Sequence, residues 1–328
     1  MIKIVTIPNQ VNLMTNKRIF SALKIIGATA SVAYIIYTAY SRPDVVKLFT
    51  NPVVSILVNY SALIMACILF IVNWGIETIK WRMLIQSVES LGWWRAFLSV
   101  MSGTTVSLFG PNRTGEFAGR ALHFSSGNKV KAAVCSIPGN LAQLLVTLVM
   151  GIVALFYVES PFQQIGMKTE SVLAWLCMLV LVLVSVYWSL PLLRKRMGLT
   201  SFYISVKEYV GPVFAYSNSL LLKVFVWSFL RYLVFTTQFY LMLVACGVQI
   251  HWFDAFASIA VVYLFMAVIP GFAITEFTVR GSVALFLMAP LTANATGVLA
   301  ASAALWLINL VLPALIGGVA IYSIKIKD

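Results

Sequence analysis

Acidic side chains are scarce in this sequence: ten Asp and Glu among 328 residues, with only 10% of all residues charged. Soluble chains carry about 25% charged residues and about 45–50% apolar ones. At 61% hydrophobic, with a mean hydropathy of +0.95, this chain is no ordinary soluble domain. Histidine is nearly missing as well. His123 and His251 stand alone, and a metal centre needs three or four converging ligands, so no metal site is expected. The four cysteines (Cys67, Cys135, Cys177, Cys246) sit in apolar runs without a C-x-x-C pair. They read as small packing residues, neither disulfides nor metal ligands. The sequence holds no G-x-x-x-x-G-K loop, which argues against ATP drive from this chain, and no cofactor is expected. The first apolar run, Phe20 to Tyr40, is longer than the ~7–15 residues of a signal-peptide core and no A-x-A-like site follows it, so cleavage is not expected.

What is present is a series of apolar runs, which makes the expected fold class an all-α polytopic membrane protein forming one integral membrane domain. Spans are placed at 20–40, 53–73, 132–157, 171–190, 219–246 and 298–322, each long enough to cross a bilayer. Two further runs, 96–110 and 255–269, stop short at a proline and suit half-helices or re-entrant segments. The formal charge of +13 would suggest a nucleic-acid partner in a soluble protein. Here it is read as orientation, because Lys and Arg gather in cytoplasmic loops, and no nucleic acid is expected. The basic loops alternate consistently if both termini are cytoplasmic, 96–124 dips in from the cytoplasm, and 255–291 dips in from outside. Residues 194–218 form the plausible linker, part of it an amphipathic helix on the inner leaflet. Trp81, Trp93, Trp94, Trp188 and Trp252 fall at predicted span ends, where an aromatic belt is expected.

The two short runs repeat one another. Ala96, Phe97, Ser99 and Pro111 match Ala255, Phe256, Ser258 and Pro270 at one offset, and Glu116, Phe117 and Arg120 match Glu276, Phe277 and Arg280 after one inserted residue. In a chain so poor in acids, a shared Glu-Phe-x-x-Arg carries more weight than shared Ala or Phe. With opposite entry sides the copies form an inverted-topology repeat, with halves of about 53–157 and 219–322, the arrangement that places a transporter's binding site near the midplane. Proline ends each first arm. A second arm then starts near Thr114 or Thr275, where free N–H groups favour an anion. Glu and Arg four apart share a helical face, and Arg113 adds a second guanidinium fork suited to phosphate. The alternative is that each Glu–Arg pair neutralises itself and pins the turn. Asn112, Asn140, Gln143, Arg231, Thr275 and Asn309 are possible cavity-lining residues. Asn140, Gln143 and Asn309 could equally bond neighbouring helices at kinks, and Lys223 and Arg231 could snorkel to the interface.

Pro111-Asn-Arg-Thr-Gly-Glu-Phe-Ala-Gly-Arg120, followed by Ile269-Pro-Gly-Phe-Ala-Ile-Thr-Glu-Phe-Thr-Val-Arg280, resembles the lysylphosphatidylglycerol synthase transmembrane (flippase-like) family over essentially the whole chain. The resemblance implies a membrane domain that moves a lipid between leaflets, with Arg113, Glu116, Arg120 and Glu276 on the family's motif positions. The chain closes at Asp328, so a stand-alone member without the synthase domain is expected, and no aminoacyl transfer is implied. Two departures set it apart. Phe272-Ala273-Ile274 stands where the family is often glycine-rich, and no Lys or Arg lies between Arg280 and Lys325. Lysylphosphatidylglycerol is therefore not assumed as the lipid.

The expectation is a non-enzymatic lipid flippase or transporter in the bacterial cytoplasmic (inner) membrane, multi-pass. Arg113, Glu116, Arg120, Glu276 and Arg280 would bind an anionic or zwitterionic headgroup between the two elements. The expected partners are the membrane lipid itself, with a homo-oligomer or a separate lipid-synthesising enzyme as further possibilities. A membrane-embedded lipid or glycosyl transferase, and a non-transporting partner of a lipid-modifying enzyme, are the alternatives.

Overall fold

The computed structural model describes residues 58–108, 113–158, 168–197, 201–269 and 276–324. The expected span at 20–40, the prolines Pro111 and Pro270, and the lining candidates Asn112 and Thr275 lie outside the described residues. Every regular element among the described residues is helical. In chain order these are α1 (Tyr60–Ile85), α2 (Trp93–Ser107), α3 (Gly115–Ala121), α4 (Lys129–Ala154), α5 (Thr169–Met197), α6 (Ser201–Phe214), α7 (Asn218–Ala245), α8 (Trp252–Val268), α9 (Glu276–Met288), α10 (Ala295–Trp306) and α11 (Leu312–Ser323). Among the described residues, five helical stretches are long and apolar enough to cross a membrane: Tyr60–Ile85, Ser126–Ala154, Thr169–Leu192, Asn218–Ala245 and Ala295–Ser323. They correspond to the five expected spans that fall in described residues.

The first of these departs from expectation at its end. The apolar run stops near Val72, which placed Lys80 and Arg82 in a loop and Trp81 in an interfacial belt. In the structure α1 continues to Ile85, with Trp81 fully buried and Lys80 only 1% exposed. A helix of 26 residues spans about 39 Å, more than the bilayer core of about 30 Å. Its polar second half is stable because those side chains face protein and find partners there. Asn59 caps the start, its side chain accepting from Ala62 N–H at 3.1 Å. Trp93, Trp94 and Trp252 do lie exposed at helix ends, while Trp188 is half-buried within α5.

The two short runs form broken pairs, α2 with α3 and α8 with α9. The first arms stop at Ser107 and at Val268, ahead of Pro111 and Pro270, and the chain resumes as helix at Gly115 and Glu276. Around them the long helices are arranged crosswise. α1 lies along α7, the first arm α2 packs on α11, and the other first arm α8 packs on α4. Two buried apolar clusters result, one including Trp81, Leu84, Val100 and Leu145, the other including Phe239, Met242, Ile259 and Val298. α5 stands at the periphery with Trp175, Leu181 and Val182 facing outward, an apolar surface suited to lipid. The expected linker 194–218 contains helix α6, which packs against α4 and α5.

Close backbone approach sets the α2–α3 pair. A Cβ at Gly119 would lie 2.4 Å from the Ser102 carbonyl oxygen, and one at Gly317 would lie 2.1 Å from that of Met101. Those positions let α3 and α11 both press closely onto the backbone of α2. Ser99 Oγ reinforces the contact, donating to the Arg120 carbonyl at 2.8 Å, and Thr105 Oγ1 donates to the Ala314 carbonyl at 2.7 Å. A Gly119→Ala substitution is therefore expected to push α3 off α2 and displace Arg120. A lowered melting temperature in detergent checks this, while Gly127→Ala, which meets open space, is expected to be neutral.

Beyond α3, Glu89 ties the α1–α2 loop to the start of α4. Asn128 Nδ2 donates to it at 3.1 Å and Ser125 Oγ at 2.9 Å. Burial pushes the Glu89 carboxyl up, but these hydrogen bonds outweigh it and hold the group below its ordinary range. At the chain's other end, the last span is interrupted by a π turn at Leu307–Val311 ahead of Pro313. Such turns relieve the hydrogen bond a proline cannot make, and they are frequent at functional sites.

Candidate functional site

Glu77, on the buried face of α1, is 2% exposed and receives three cations. Arg120 Nη2 from α3 approaches it at 2.7 Å, Lys80 Nζ at 3.1 Å, and Arg231 Nη1 from α7 at 3.1 Å. Arg120 also pairs with Glu116 one turn before it, and its guanidinium stacks 5.0 Å above the Trp81 ring. Trp81 is itself held by its Nε1–H, which donates to Ser99 Oγ at 3.0 Å. The residue assigned to an aromatic belt thus supports an arginine in the protein interior.

From Arg231 the polar network runs on to the interrupted last span. Arg231 Nε donates to Asn73 Oδ1 at 2.9 Å, Asn73 Nδ2 to Asn309 Oδ1 at 3.3 Å, and Asn309 Nδ2 to Gln238 Oε1 at 2.8 Å. Gln238 closes the chain on the Ala66 carbonyl at 2.9 Å. Asn309 can serve this chain because the π turn that holds it re-aims side chains out of α-helical register.

A second cluster joins the two broken elements. Arg280 pairs with Glu276 one turn before it, repeating the Arg120–Glu116 pair. Glu276 also accepts from Arg113, whose Nε lies 3.2 Å from Oε2 and whose Nη2 contacts the same oxygen. Arg113 has a backbone φ of 56°, the left-handed region that costs a non-glycine residue about 1–2 kcal/mol and that clusters at functional sites. The guanidinium of the first element is thereby set against the carboxylate of the second.

Both clusters face a pair of adjoining cavities. The larger, about 470 Å³, is lined by Arg113, Arg231, Glu276, Arg280, Asn309 and Gln143, with an apolar part at Met266, Val268, Leu305 and Trp306. The smaller, about 200 Å³, is lined by Arg113, Glu116, Arg120, Arg231, Asn140 and Gln143 among others. Arg113, Arg231, Trp74, Gln143, Thr147 and Ala267 border both, so the two are neighbours across one wall. At the apolar part of the larger cavity Phe277 rests against Trp306, their rings 5.5 Å apart, with Phe277, Leu307 and Val268 exposed.

The structure gathers Arg113, Glu116, Arg120, Glu276 and Arg280 around this space. Among the possible lining residues, Asn140, Gln143, Arg231 and Asn309 reach a cavity wall, and Arg231, Gln143 and Asn309 bond across helices as well. Gln143 Nε2 donates to the Ser228 carbonyl at 3.3 Å, and Asn309 sits in the chain above. Lys223 is exposed, as snorkelling requires. The helix-dipole argument fares less well for the first element. α3 has only seven residues, less than two turns, and any ligand there must be held by side chains instead. Sequence reasoning missed Glu77, Lys80, Asn73 and Gln238. The available signal was the spacing of Asn73, Glu77 and Lys80, which recur at i, i+4 and i+7 on one helical face.

Long apolar helices with exposed apolar flanks, and a charged, partly open cavity between two broken pairs, define a polytopic integral membrane protein. Residues 24–317 match the family described as Lysylphosphatidylglycerol synthase TM region, and the chain belongs to that family. The family is membrane-embedded and associated with lipid handling. Among curated proteins no match is found.

Proposed function

We propose that this protein is a lipid flippase or lipid transporter, moving a lipid with an anionic or zwitterionic headgroup between leaflets of the bacterial cytoplasmic membrane. The observation that carries this reading is the Arg113–Glu276 pair, which spans the two broken elements at the wall of two adjoining cavities that four arginines line between them. Guanidinium forks bind phosphate in two-point fashion, and they do so best where water is excluded. The apolar flank at Val268, Phe277 and Trp306 gives acyl chains a place beside the headgroup. On this reading the first element enters from the cytoplasm and the second from outside, and both termini are cytoplasmic. The crosswise packing of α2 on α11 and α8 on α4 supports such a pseudo-symmetric pair of halves. Rocking one half against the other would break the Arg113–Glu276 contact and expose the site to each leaflet in turn. The chain acts as a transporter and not an enzyme, and the lipid is made by a separate enzyme.

Reconstitution into liposomes with a panel of headgroup-labelled lipids tests the proposal. The protein is expected to accelerate leaflet exchange of at least one anionic or zwitterionic lipid, and Glu116→Gln with Glu276→Gln is expected to abolish it. An absence of exchange across a broad panel would overturn the reading. So would exchange that is unaffected by the double substitution.

A further inference from the structure

The charge around the cavities is unbalanced. Five basic side chains (Lys80, Arg113, Arg120, Arg231, Arg280) meet three carboxylates (Glu77, Glu116, Glu276), leaving two formal positive charges in excess among the described residues. The surplus is divided. The Glu77–Glu116 cluster carries one excess charge, with three cations against two acids, and the Glu276 cluster carries the other, with two against one. The undescribed junctions 109–112 and 270–275 contain no ionisable side chain that could cancel it.

Hydrogen-bonding capacity is unbalanced in the same sense. Among the described residues, Arg120 Nε, Arg280 Nε and Trp74 Nε1 are buried donors without a hydrogen-bond partner, against one unmet acceptor on the same walls, Gln143 Oε1. All three donor residues line one or both cavities and each is less than a tenth exposed. Buried charges and donors left unmet are costly, so such a surplus marks a place where a ligand with negative charge and several acceptor oxygens belongs.

We infer that the ligand's end group carries two negative charges, as a terminal phosphomonoester or a diphosphate does, and is not a singly charged phosphodiester. The inference rests on the lipid-transport reading and specifies the substrate class for that site. The two excess charges face one shared wall, because Arg113 and Arg231 each border both cavities. A single end group at that wall is therefore exposed to both clusters. A phosphodiester neutralises one excess charge and strands the other, and a zwitterion neutralises neither. A phosphate monoester carries a charge of about −1.5 to −2 at pH 7, since its second ionisation lies near pH 6.

The test uses the full chain in detergent and measures binding of short-chain phosphatidic acid, short-chain phosphatidylglycerol and inorganic phosphate. At pH 7 phosphatidic acid is expected to bind at least about tenfold tighter than phosphatidylglycerol, a difference of about 1.4 kcal/mol. The ratio is expected to collapse toward one at pH 5, where the monoester has lost its second charge. It is also expected to shrink at pH 7 in Arg231→Gln, which removes one excess charge. The pH arm needs no variant, so it stands even if Arg231→Gln does not fold. Equal binding of the two lipids at pH 7 would overturn the charge assignment while leaving lipid transport intact. Binding of neither lipid would overturn both. If inorganic phosphate binds as tightly as phosphatidic acid, the ligand is a free anion and the assignment to a lipid end group falls.

Discussion

Glu77→Gln is expected to be among the most destabilising single substitutions in the protein. The change keeps the side chain's shape and removes one charge, yet Arg120, Lys80 and Arg231 all lean on that carboxylate within 3.1 Å. Removing one partner of a buried ion pair costs about 3–5 kcal/mol, because the charge left behind is neither solvated nor paired. Here Lys80 and Arg231 are left at once, Arg120 keeps Glu116 alone, and the excess positive charge of the site rises. Thermal unfolding of the purified protein should show a marked fall in melting temperature. Arg231→Gln added to the same chain should recover part of it, since the pair is in direct contact and its effects are coupled. An unchanged melting temperature for Glu77→Gln alone would mean that the network is not a structural keystone.

Charge reversal across the Arg113–Glu276 contact should have the largest effect on transport. Arg113→Glu sets two carboxylates against each other, and Glu276→Arg crowds three guanidinium groups at one point, given Arg280 beside it. Each single reversal is expected to slow lipid exchange by at least about tenfold, the size of effect that about 1.4 kcal/mol produces. The double exchange restores opposite charges across the two elements and keeps the net charge of the cavity. It should recover part of the rate, though not all, because Arg280 loses its own partner at Glu276. Leaflet-exchange rates in liposomes check both halves of the prediction. Single reversals that transport at the normal rate would show that the contact takes no part in the cycle.

The sequence made the membrane class and the two broken elements legible for a simple reason. Where acids are rare, a Glu followed by an Arg at i+4 after a proline-ended apolar run is visible, and twice is more so. The internal pairs Glu116–Arg120 and Glu276–Arg280 follow from that spacing alone. The Arg113–Glu276 contact does not, because its partners are 163 residues apart and only tertiary packing brings them together. Glu77 was hidden by the opposite problem. Its neighbours Lys80, Trp81 and Arg82 look like the end of a span, since basic and aromatic residues gather there. The structure continues the helix through them because Trp81 and Lys80 are met by α3 and by Glu77, not by water. The π turn at Asn309 also escaped, since Pro313 signals an irregularity without saying which residue it re-aims.

The central claim is that the two broken elements together hold one lipid end group. The most direct measurement is an experimental structure of the full chain in lipid nanodiscs containing the transported lipid. The account predicts density for a phosphate between Arg113, Arg231 and Arg280, with acyl chains leaving past Val268, Phe277 and Trp306. Lipid density confined to the outer surface, with the cavity arginines paired only to their glutamates, would contradict it.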